Sequence, residues 1–247
     1  MRRIFTDYLT FAFMKETSKY KHIFIDLDKT IWDFDSNTRV TFREIFEKHQ
    51  LRSHGISHLH NFTEVYTRIN DQLWGLYREN KIKKEILNIR RFELTLQEFG
   101  IDNLNLATQL AEDFITLSPL KTILFPRSRE ALKYLKERYP LHIITNGFEE
   151  VQQKKLDVCD LRKYFTTITT SEEAGVKKPE TGIFELALEK AGAKADESLM
   201  IGDDLQVDMA GARLIGMDTL FFNPQSHVHQ DDLDHEVHSW HEVMKIL

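Results

Sequence analysis

The 247-residue chain is 41% hydrophobic, which is enough to bury a large core, so a disordered chain and a small disulfide-stapled scaffold are excluded. Its 33 basic and 39 acidic side chains give a net charge of −6, which argues against a nucleic acid polymer or an anionic membrane as a partner. The one cysteine, Cys159, cannot form an internal disulfide and suits a reducing compartment, so we expect a cytoplasmic protein.

An apolar run from Ile4 to Phe13 follows two arginines near the start of the chain. Asp7 interrupts this run and no small-residue cleavage site follows, so a secretory signal peptide is disfavoured. No other uncharged apolar stretch approaches the roughly 18 residues that a membrane span needs. We expect residues 1–13 to be an extension that contributes nothing to the chemistry.

Four short apolar segments each lead into a polar cluster, which is typical of buried parallel strands that end in a site. They are His22–Asp26, Leu141–Ile144, Ser198–Ile201 and Asp218–Phe222. Helical patterns separate them, and strands that alternate with helices indicate an α/β fold with a parallel sheet. Ligands of such sheets bind at the carboxyl ends of the strands, where all the polar clusters lie.

The interval between Asp26 and Thr145 is far longer than one crossover helix requires, so it indicates an insertion. Apolar residues recur there at helical spacing in four groups, which predicts four amphipathic helices in a small bundle. We therefore predict a helical domain at residues 36–121 and a catalytic α/β core formed by residues 1–35 and 122–247. Its aromatic residues are expected mainly in the core, including Trp74 and Tyr77.

Carboxylates follow two of the predicted strands: Asp26 and Asp28 follow the first, and Asp203, Asp204 and Asp208 follow the third. Carboxylates lie against a buried sheet only for a strong reason, and their repulsion would raise a pKa unless a cation intervened. Mg²⁺ would relieve that repulsion, because it takes hard oxygen ligands. The alternatives are a solvated loop for the first pair and an acidic helix N-terminus for part of the second group.

Two further segments offer groups that bind phosphate. Thr145, Asn146 and Gly147 supply a hydroxyl, an amide and a backbone N–H at a strand-to-helix turn, although such residues also form ordinary turns. Lys177 and Lys178 supply the local cation that an acidic protein needs to hold a dianion, the alternative being a solvated charged loop. No glycine-rich phosphate cradle is present, so a metal, a lysine and turn donors would hold the phosphate.

The segments IFIDLDKT, IITNG, GVKKPETGIF and MIGDDLQVD resemble, in this order, the four signature motifs of the haloacid dehalogenase superfamily. The resemblance extends from Tyr20 to the C-terminus. It implies a doubly wound parallel sheet, a Rossmann-like core, with an inserted all-α helical cap. Phosphatases and phosphomutases of this superfamily carry an aspartate at the position of Asp28, whereas its dehalogenases lack one. The resemblance therefore implies phosphoryl transfer.

The same resemblance implies how the first group of site residues acts. Asp26 would attack phosphorus and become a phosphoaspartate, and Asp28 would protonate the leaving group and then activate water. Mg²⁺ would be bound by the Asp26 carboxylate, the Asp28 backbone carbonyl and Asp203. Lys29 stands where the family commonly has glycine.

The remaining roles implied by the resemblance concern the phosphoryl group and its surroundings. Lys178 would orient Asp26, while Thr145, Asn146 and the neighbouring amide of Gly147 would bind phosphoryl oxygens. Asp208 would support the metal site by fixing a water or a ligand. A second residue beside the metal is Asp204, at a position that is often serine.

Longer phrases, FIDLDKTIWDFDS, IITNGFEEVQQKKL and EEAGVKKPETGIFELAL, resemble the bacterial pyrimidine 5′-nucleotidases of the house-cleaning type. They imply a small phosphorylated metabolite, a nucleoside 5′-monophosphate, as the substrate, with Phe148 as a wall of its pocket. The runner-up is a sugar-phosphate or phosphoglycolate phosphatase with the same catalytic residues. A third reading is a phosphate-binding module on an inactive hydrolase fold.

Histidines and acidic residues cluster between His227 and His241. Zinc could bind such residues, but their irregular spacing favours a solvated loop, a short strand and a terminal helix capped by Ser239.

Overall fold

Six parallel strands form the central sheet of the computed structural model, which describes residues 19–247. They are β1 (His22–Ile25), β2 (Leu141–Thr145), β3 (Thr167–Thr170), β4 (Ser198–Gly202), β5 (Asp218–Phe222) and β6 (His235–Val237). Their order in the sheet is β3-β2-β1-β4-β5-β6, so the predicted doubly wound parallel sheet is confirmed. The order reverses between β1 and β4, where such sheets open a ligand crevice. The apolar run Ile4–Phe13 lies outside the described residues.

Between β1 and residue 121 the chain forms four helices, as the helical spacing predicts. They are α1 (Phe34–Lys48), α2 (Leu59–Arg78), α3 (Lys84–Glu98) and α4 (Leu104–Leu117). Their apolar stripes bury one aromatic-rich cluster that includes Phe42, Phe62, Phe92 and Phe114. The inserted helices therefore have a core of their own, separate from the layers on the sheet.

The remaining helices cover the two faces of the sheet. They are α5 (Ser128–Lys136), α6 (Glu149–Val158), α7 (Ser171–Ala174), α8 (Thr181–Ala191), α9 (Ala210–Leu214) and α10 (Trp240–Ile246). Alternate residues of β1 face opposite layers, since Ile23 and Ile25 pack in the cluster that contains Trp240, and Phe24 packs in the cluster that contains Phe184. Both faces of β1 are thus buried, which explains its unbroken apolar sequence.

The segment before α9 differs from the predicted helix Asp208–Leu214. It begins with a wide π-type turn, Leu205–Met209, because the backbone N–H of Met209 donates to the carbonyl of Asp204, five residues earlier, at 3.2 Å. The predicted C-terminal loop, short strand and helix are present, and Ser239 caps α10 by accepting a hydrogen bond from the backbone N–H of Glu242.

Cys159 follows α6 and lies in the layer that contains Trp32 and Leu156. Only 2% of it is exposed, and burial raises the pKa of its thiol. Within residues 19–247, no helix combines the length and the apolar character that a membrane crossing requires.

Candidate active site

A cavity of about 350 Å³ opens at the carboxyl ends of β1, β2 and β4. The inserted helix α2 closes its other side with Asn70, Asp71, Trp74 and Arg78. All nine residues that were predicted from the sequence to form the site line this one cavity: Asp26, Asp28, Thr145, Asn146, Gly147, Lys178, Asp203, Asp204 and Asp208. The fold thus brings together residues separated by up to 182 positions in the chain, because parallel strands end at the same edge of the sheet.

Three carboxylates meet on the floor of the cavity. Asp26, Asp203 and Asp208 each offer an oxygen, and these atoms lie within 4.8 Å of one another. Burial raises the pKa of Asp26 to about 7, and burial together with Asp208 and Asp26 raises the pKa of Asp203 well above its usual range. A hard divalent cation among these oxygens would favour their ionised forms, so the donor set fits Mg²⁺. Thr30 donates to Asp203 at 3.1 Å and fixes one of these oxygens.

Lys178 is almost completely buried beneath the carboxylates, with 2% of the residue exposed. Its Nζ donates to Oδ1 of Asp26 and to Oδ1 of Asp208, both at 2.6 Å, and to the carbonyl of Ile144 at 3.0 Å. Burial alone would lower the pKa of Lys178, but Asp208 and Asp26 raise it above its usual value. A permanent cation therefore bridges the two carboxylates, as a buried charge requires.

Asp208 and Asp204, for which the resemblance implies similar supporting roles beside the metal, lie in different environments. Asp208 is 2% exposed, and a Cβ at Gly202 would collide with its carboxylate, so glycine allows the close approach. The carboxylate of Asp204 accepts from the backbone N–H groups of Gln206 and Val207, at 2.9 and 3.1 Å, and caps the turn. The helix-terminus alternative therefore describes Asp204, although this residue also lines the cavity.

The turn after β2 is built around Thr145. Its Oγ1 accepts from the backbone N–H of Gly147 at 3.1 Å and from Nε2 of Gln152 at 2.8 Å, which leaves its own hydrogen available as a donor. The Asn146 side chain lines the cavity and also makes contacts that the resemblance does not imply. Its Oδ1 accepts from the backbone N–H of Lys178 and its Nδ2 donates to the carbonyl of Lys178, so it anchors the lysine segment.

Two residues that the sequence reasoning missed hold Asp28. Lys155 donates to its Oδ1 at 2.6 Å and Gln152 donates to its Oδ2 at 2.9 Å. Both donors are buried on α6, three residues apart on one face of the helix. This spacing in VQQKKL, directly after the polar turn, is the signal that could have identified them.

Lys29 follows the second aspartate of the first motif and has φ 61°, in the left-handed region that favours glycine. The turn implied by the family's glycine is therefore retained with a lysine. The Lys29 side chain lines the cavity, together with Phe34 and Trp74.

Aromatic side chains form the wall between the inserted helices and the core. Trp74 was expected in a core, but it is half-buried, lines the cavity and stacks on Phe148 at a ring distance of 5.4 Å. Tyr77 is buried as predicted, and Phe148 lines a smaller adjoining cavity of about 50 Å³. Lys84 of α3 lies over the Phe148 ring at 4.6 Å and donates to Glu172 of the core at 2.7 Å.

Comparisons with known proteins agree with this geometry. The family model for haloacid dehalogenase-like hydrolases matches residues 20–216. The chain is 30% identical to the pyrimidine 5′-nucleotidase PynA of Streptococcus pneumoniae, over 92% of this chain and 95% of that protein. It is also 30% identical to the pyrimidine 5′-nucleotidase YjjG of Escherichia coli, over 93% and 98%. The crystal structure of the putative HAD-hydrolase YfnB from Bacillus subtilis, bound to magnesium, superposes with a TM-score of 0.83 and 26% identity, covering 93% of this chain and 99% of that one.

Proposed function

The chain belongs to the haloacid dehalogenase-like hydrolases, and we propose that it is a Mg²⁺-dependent phosphatase that hydrolyses nucleoside 5′-monophosphates through a phosphoaspartate. One observation carries the proposal. Lys178 fixes Asp26 on the cavity floor, while Asp28, two residues later, is held separately by donors from α6. These separate environments support Asp26 as the nucleophile and Asp28 as the acid and base, the two roles that ester hydrolysis needs.

In the first step, Oδ2 of Asp26 attacks phosphorus, since Lys178 already occupies Oδ1. The P–O bond to the nucleoside breaks, and the leaving oxygen takes the proton of a protonated Asp28. The products of this step are a free nucleoside and a phosphoaspartate, while Asp28 is left ionised. The hydroxyl of Thr145 and the backbone N–H groups of its turn bind the phosphoryl oxygens, supported by the position of this turn in the cavity.

In the second step, Asp28 takes a proton from a water molecule, whose oxygen attacks phosphorus. The bond between phosphorus and Oδ2 of Asp26 breaks, inorganic phosphate leaves and the Asp26 carboxylate is restored. Asp28 ends protonated, ready for the next ester. Lys178 remains paired with Asp26 throughout, which keeps the nucleophile in one orientation.

Asp26, Asp203 and the backbone carbonyl of Asp28 are the groups proposed to hold Mg²⁺, with Asp208 beside them. When bound, Mg²⁺ supplies neutralisation of the charge between Asp26 and the phosphoryl oxygens. The proximity of the three carboxylates and the raised pKa of Asp26 support this site, because both indicate negative charge that a cation would compensate.

We further propose that residues 36–121 act as the cap that selects the leaving group. Asn70 and Trp74 of α2 face the catalytic carboxylates across the cavity, so a leaving group attached to phosphorus lies against them. The aromatic wall of Trp74 and Phe148 suits a flat base. The names of two relatives, both pyrimidine 5′-nucleotidases, support a nucleotide over other esters.

A phosphate-ester panel with and without Mg²⁺ tests the proposal, with inorganic phosphate release as the readout. We expect hydrolysis of pyrimidine nucleoside monophosphates in preference to sugar phosphates, dependence on Mg²⁺, and loss of activity in Asp26→Asn. Asp196→Asn, an exposed aspartate outside the cavity, is the matched control and should retain full activity. A preference for a sugar phosphate over every nucleotide would refute the substrate assignment, and activity in Asp26→Asn would refute the nucleophile.

A further inference from the structure

Arg91 of α3 is a buried cation that the proposed chemistry does not use. It is 4% exposed, and no carboxylate pairs with it among residues 19–247. Its guanidinium lies over the ring of Phe114 at 5.0 Å and near Tyr66 and Phe92. A charge removed from water without a counter-ion is costly, so its surroundings must offer compensating acceptors.

The protein satisfies only part of the hydrogen-bonding capacity of Arg91. Nε donates to the carbonyl of Asn88 at 3.4 Å, Nη2 to Oδ1 of Asn88 at 3.1 Å, and Nη1 to Oδ1 of Asn70 at 3.2 Å. A guanidinium has five N–H groups, about two more than these acceptors use. Within the part of the chain that the structure describes, those two N–H groups have no protein acceptor.

Arg91 also lines the cavity of about 50 Å³ that adjoins the catalytic one. The two cavities share Asp28, Phe34, Trp74 and Gly147, so the smaller one begins at the proposed acid. Because Asp28 protonates the leaving oxygen, the group beyond that oxygen extends toward this smaller cavity. The walls of this smaller cavity are mainly apolar. Among residues 19–247, Arg91 is the one cation that the inserted helices contribute to its lining.

We propose that Arg91 is a specificity-determining residue, which binds an acceptor oxygen at the far end of the leaving group. The inference rests on the proposed function, under which this oxygen is a carbonyl of the pyrimidine ring. A guanidinium only donates, so it matches a ring carbonyl and discriminates against a leaving group that lacks one. Asn70 orients the guanidinium from the side of the catalytic cavity, where it is itself a lining residue.

The test compares Arg91→Met with the wild type on three esters: uridine 5′-monophosphate, ribose 5-phosphate, which lacks the base, and phenyl phosphate, which lacks any distal oxygen. We expect kcat/KM for uridine monophosphate to fall at least about tenfold, because the ring carbonyl then enters the site without its hydrogen-bond donor. The other two esters should change less than about threefold, because they never contact the guanidinium. Arg90→Met, the adjacent residue paired with Glu93 and absent from both cavities, is the matched control.

Equal losses on all three esters would overturn the inference, because they would indicate that Arg91 only supports the fold or Asp28. If Arg91→Met does not fold, Arg91→Lys keeps the charge but loses the planar fork, and should give a smaller loss confined to uridine monophosphate. Wild-type activity separates this test from that of the proposed function. If the wild type prefers a sugar bisphosphate such as fructose 1,6-bisphosphate, the nucleotidase assignment is refuted. A selective loss of that activity in Arg91→Met would still support Arg91 as the group that binds an acceptor oxygen at the far end of the leaving group.

Discussion

Replacing Lys155 with methionine tests whether the pair between α6 and Asp28 serves catalysis. Lys155 donates to Asp28 at 2.6 Å, and only 4% of its side chain is exposed. Hydrogen bonds to charged groups contribute about 1.5–3 kcal/mol, which corresponds to about a tenfold to a hundredfold change in rate if the contact positions Asp28 in the transition state. Methionine keeps an apolar stem against Trp32, over which the Lys155 amine lies at 4.2 Å, so folding should survive.

We therefore expect kcat of Lys155→Met to fall by about ten- to a hundredfold, with KM changed by less than about threefold, since the role proposed for Asp28 is at the leaving oxygen and not in ground-state binding. Steady-state phosphate release measures both constants, and thermal unfolding reports the fold. Lys154→Met, the exposed neighbour, controls for the loss of one lysine, and Lys155→Arg should recover part of kcat. An unchanged kcat in a folded Lys155→Met would refute the reasoning.

Two further predictions concern pH. Burial raises the pKa of Asp26 to about 7, so the folded protein without metal binds protons that the unfolded chain releases, and its stability falls as pH rises from about 4 to about 7. Mg²⁺ should consequently raise Tm more above pH 7 than well below it, and Asp203→Asn should lose most of that shift; equal Tm shifts at both pH values would contradict the site. Burial lowers the pKa of His142 from 6.5 to about 4, so the unfolded chain takes up a proton first and stability falls as pH drops through this range. Urea unfolding at pH 7 and at pH 4 isolates this effect as a difference between two proteins, because Asp26 titrates in both. Between these pH values the wild type should lose about 2 kcal/mol relative to His142→Gln, after allowance for screening, and identical pH profiles would assign the effect elsewhere.

The strands and the carboxyl-end site were predictable because both depend on patterns local to the sequence. An apolar run buried on both faces, followed by Asp26 and Asp28, can be identified without tertiary information. The parallel topology then places all such ends at one edge, so Asp203 and Lys178 join them.

The donors to Asp28 could not be predicted in this way, because they depend on how α6 is rotated against the sheet. Lys154 and Lys155 are chemically identical neighbours, yet Lys154 is exposed and Lys155 is buried against the Asp28 carboxylate. Arg90 and Arg91 differ in the same manner on α3. Composition gives no basis for choosing between such neighbours, and only the packing of the helix decides which one faces the site.

The Asn146 side chain illustrates a different limit. Its residue type suits phosphate, and the motif resemblance implies that role, but neither indicates that its amide oxygen and nitrogen also bond the backbone of Lys178, 32 residues later. Reciprocal backbone contacts of this kind depend on two loops meeting at the strand ends. The residue therefore supports the site by locating the buried lysine, and its local sequence carries no sign of this.

Cys159 gives the protein a built-in reporter of unfolding. Alkylating reagents attack the thiolate, and this thiol is both buried and biased toward its protonated form. Labelling therefore requires the layer around Cys159 to open, and that layer also contains Trp32, against which Lys155 packs. Since the sequence has one cysteine, each modified molecule records one opening of the region that holds Asp28. The rate of labelling therefore measures how often this layer of the core opens locally.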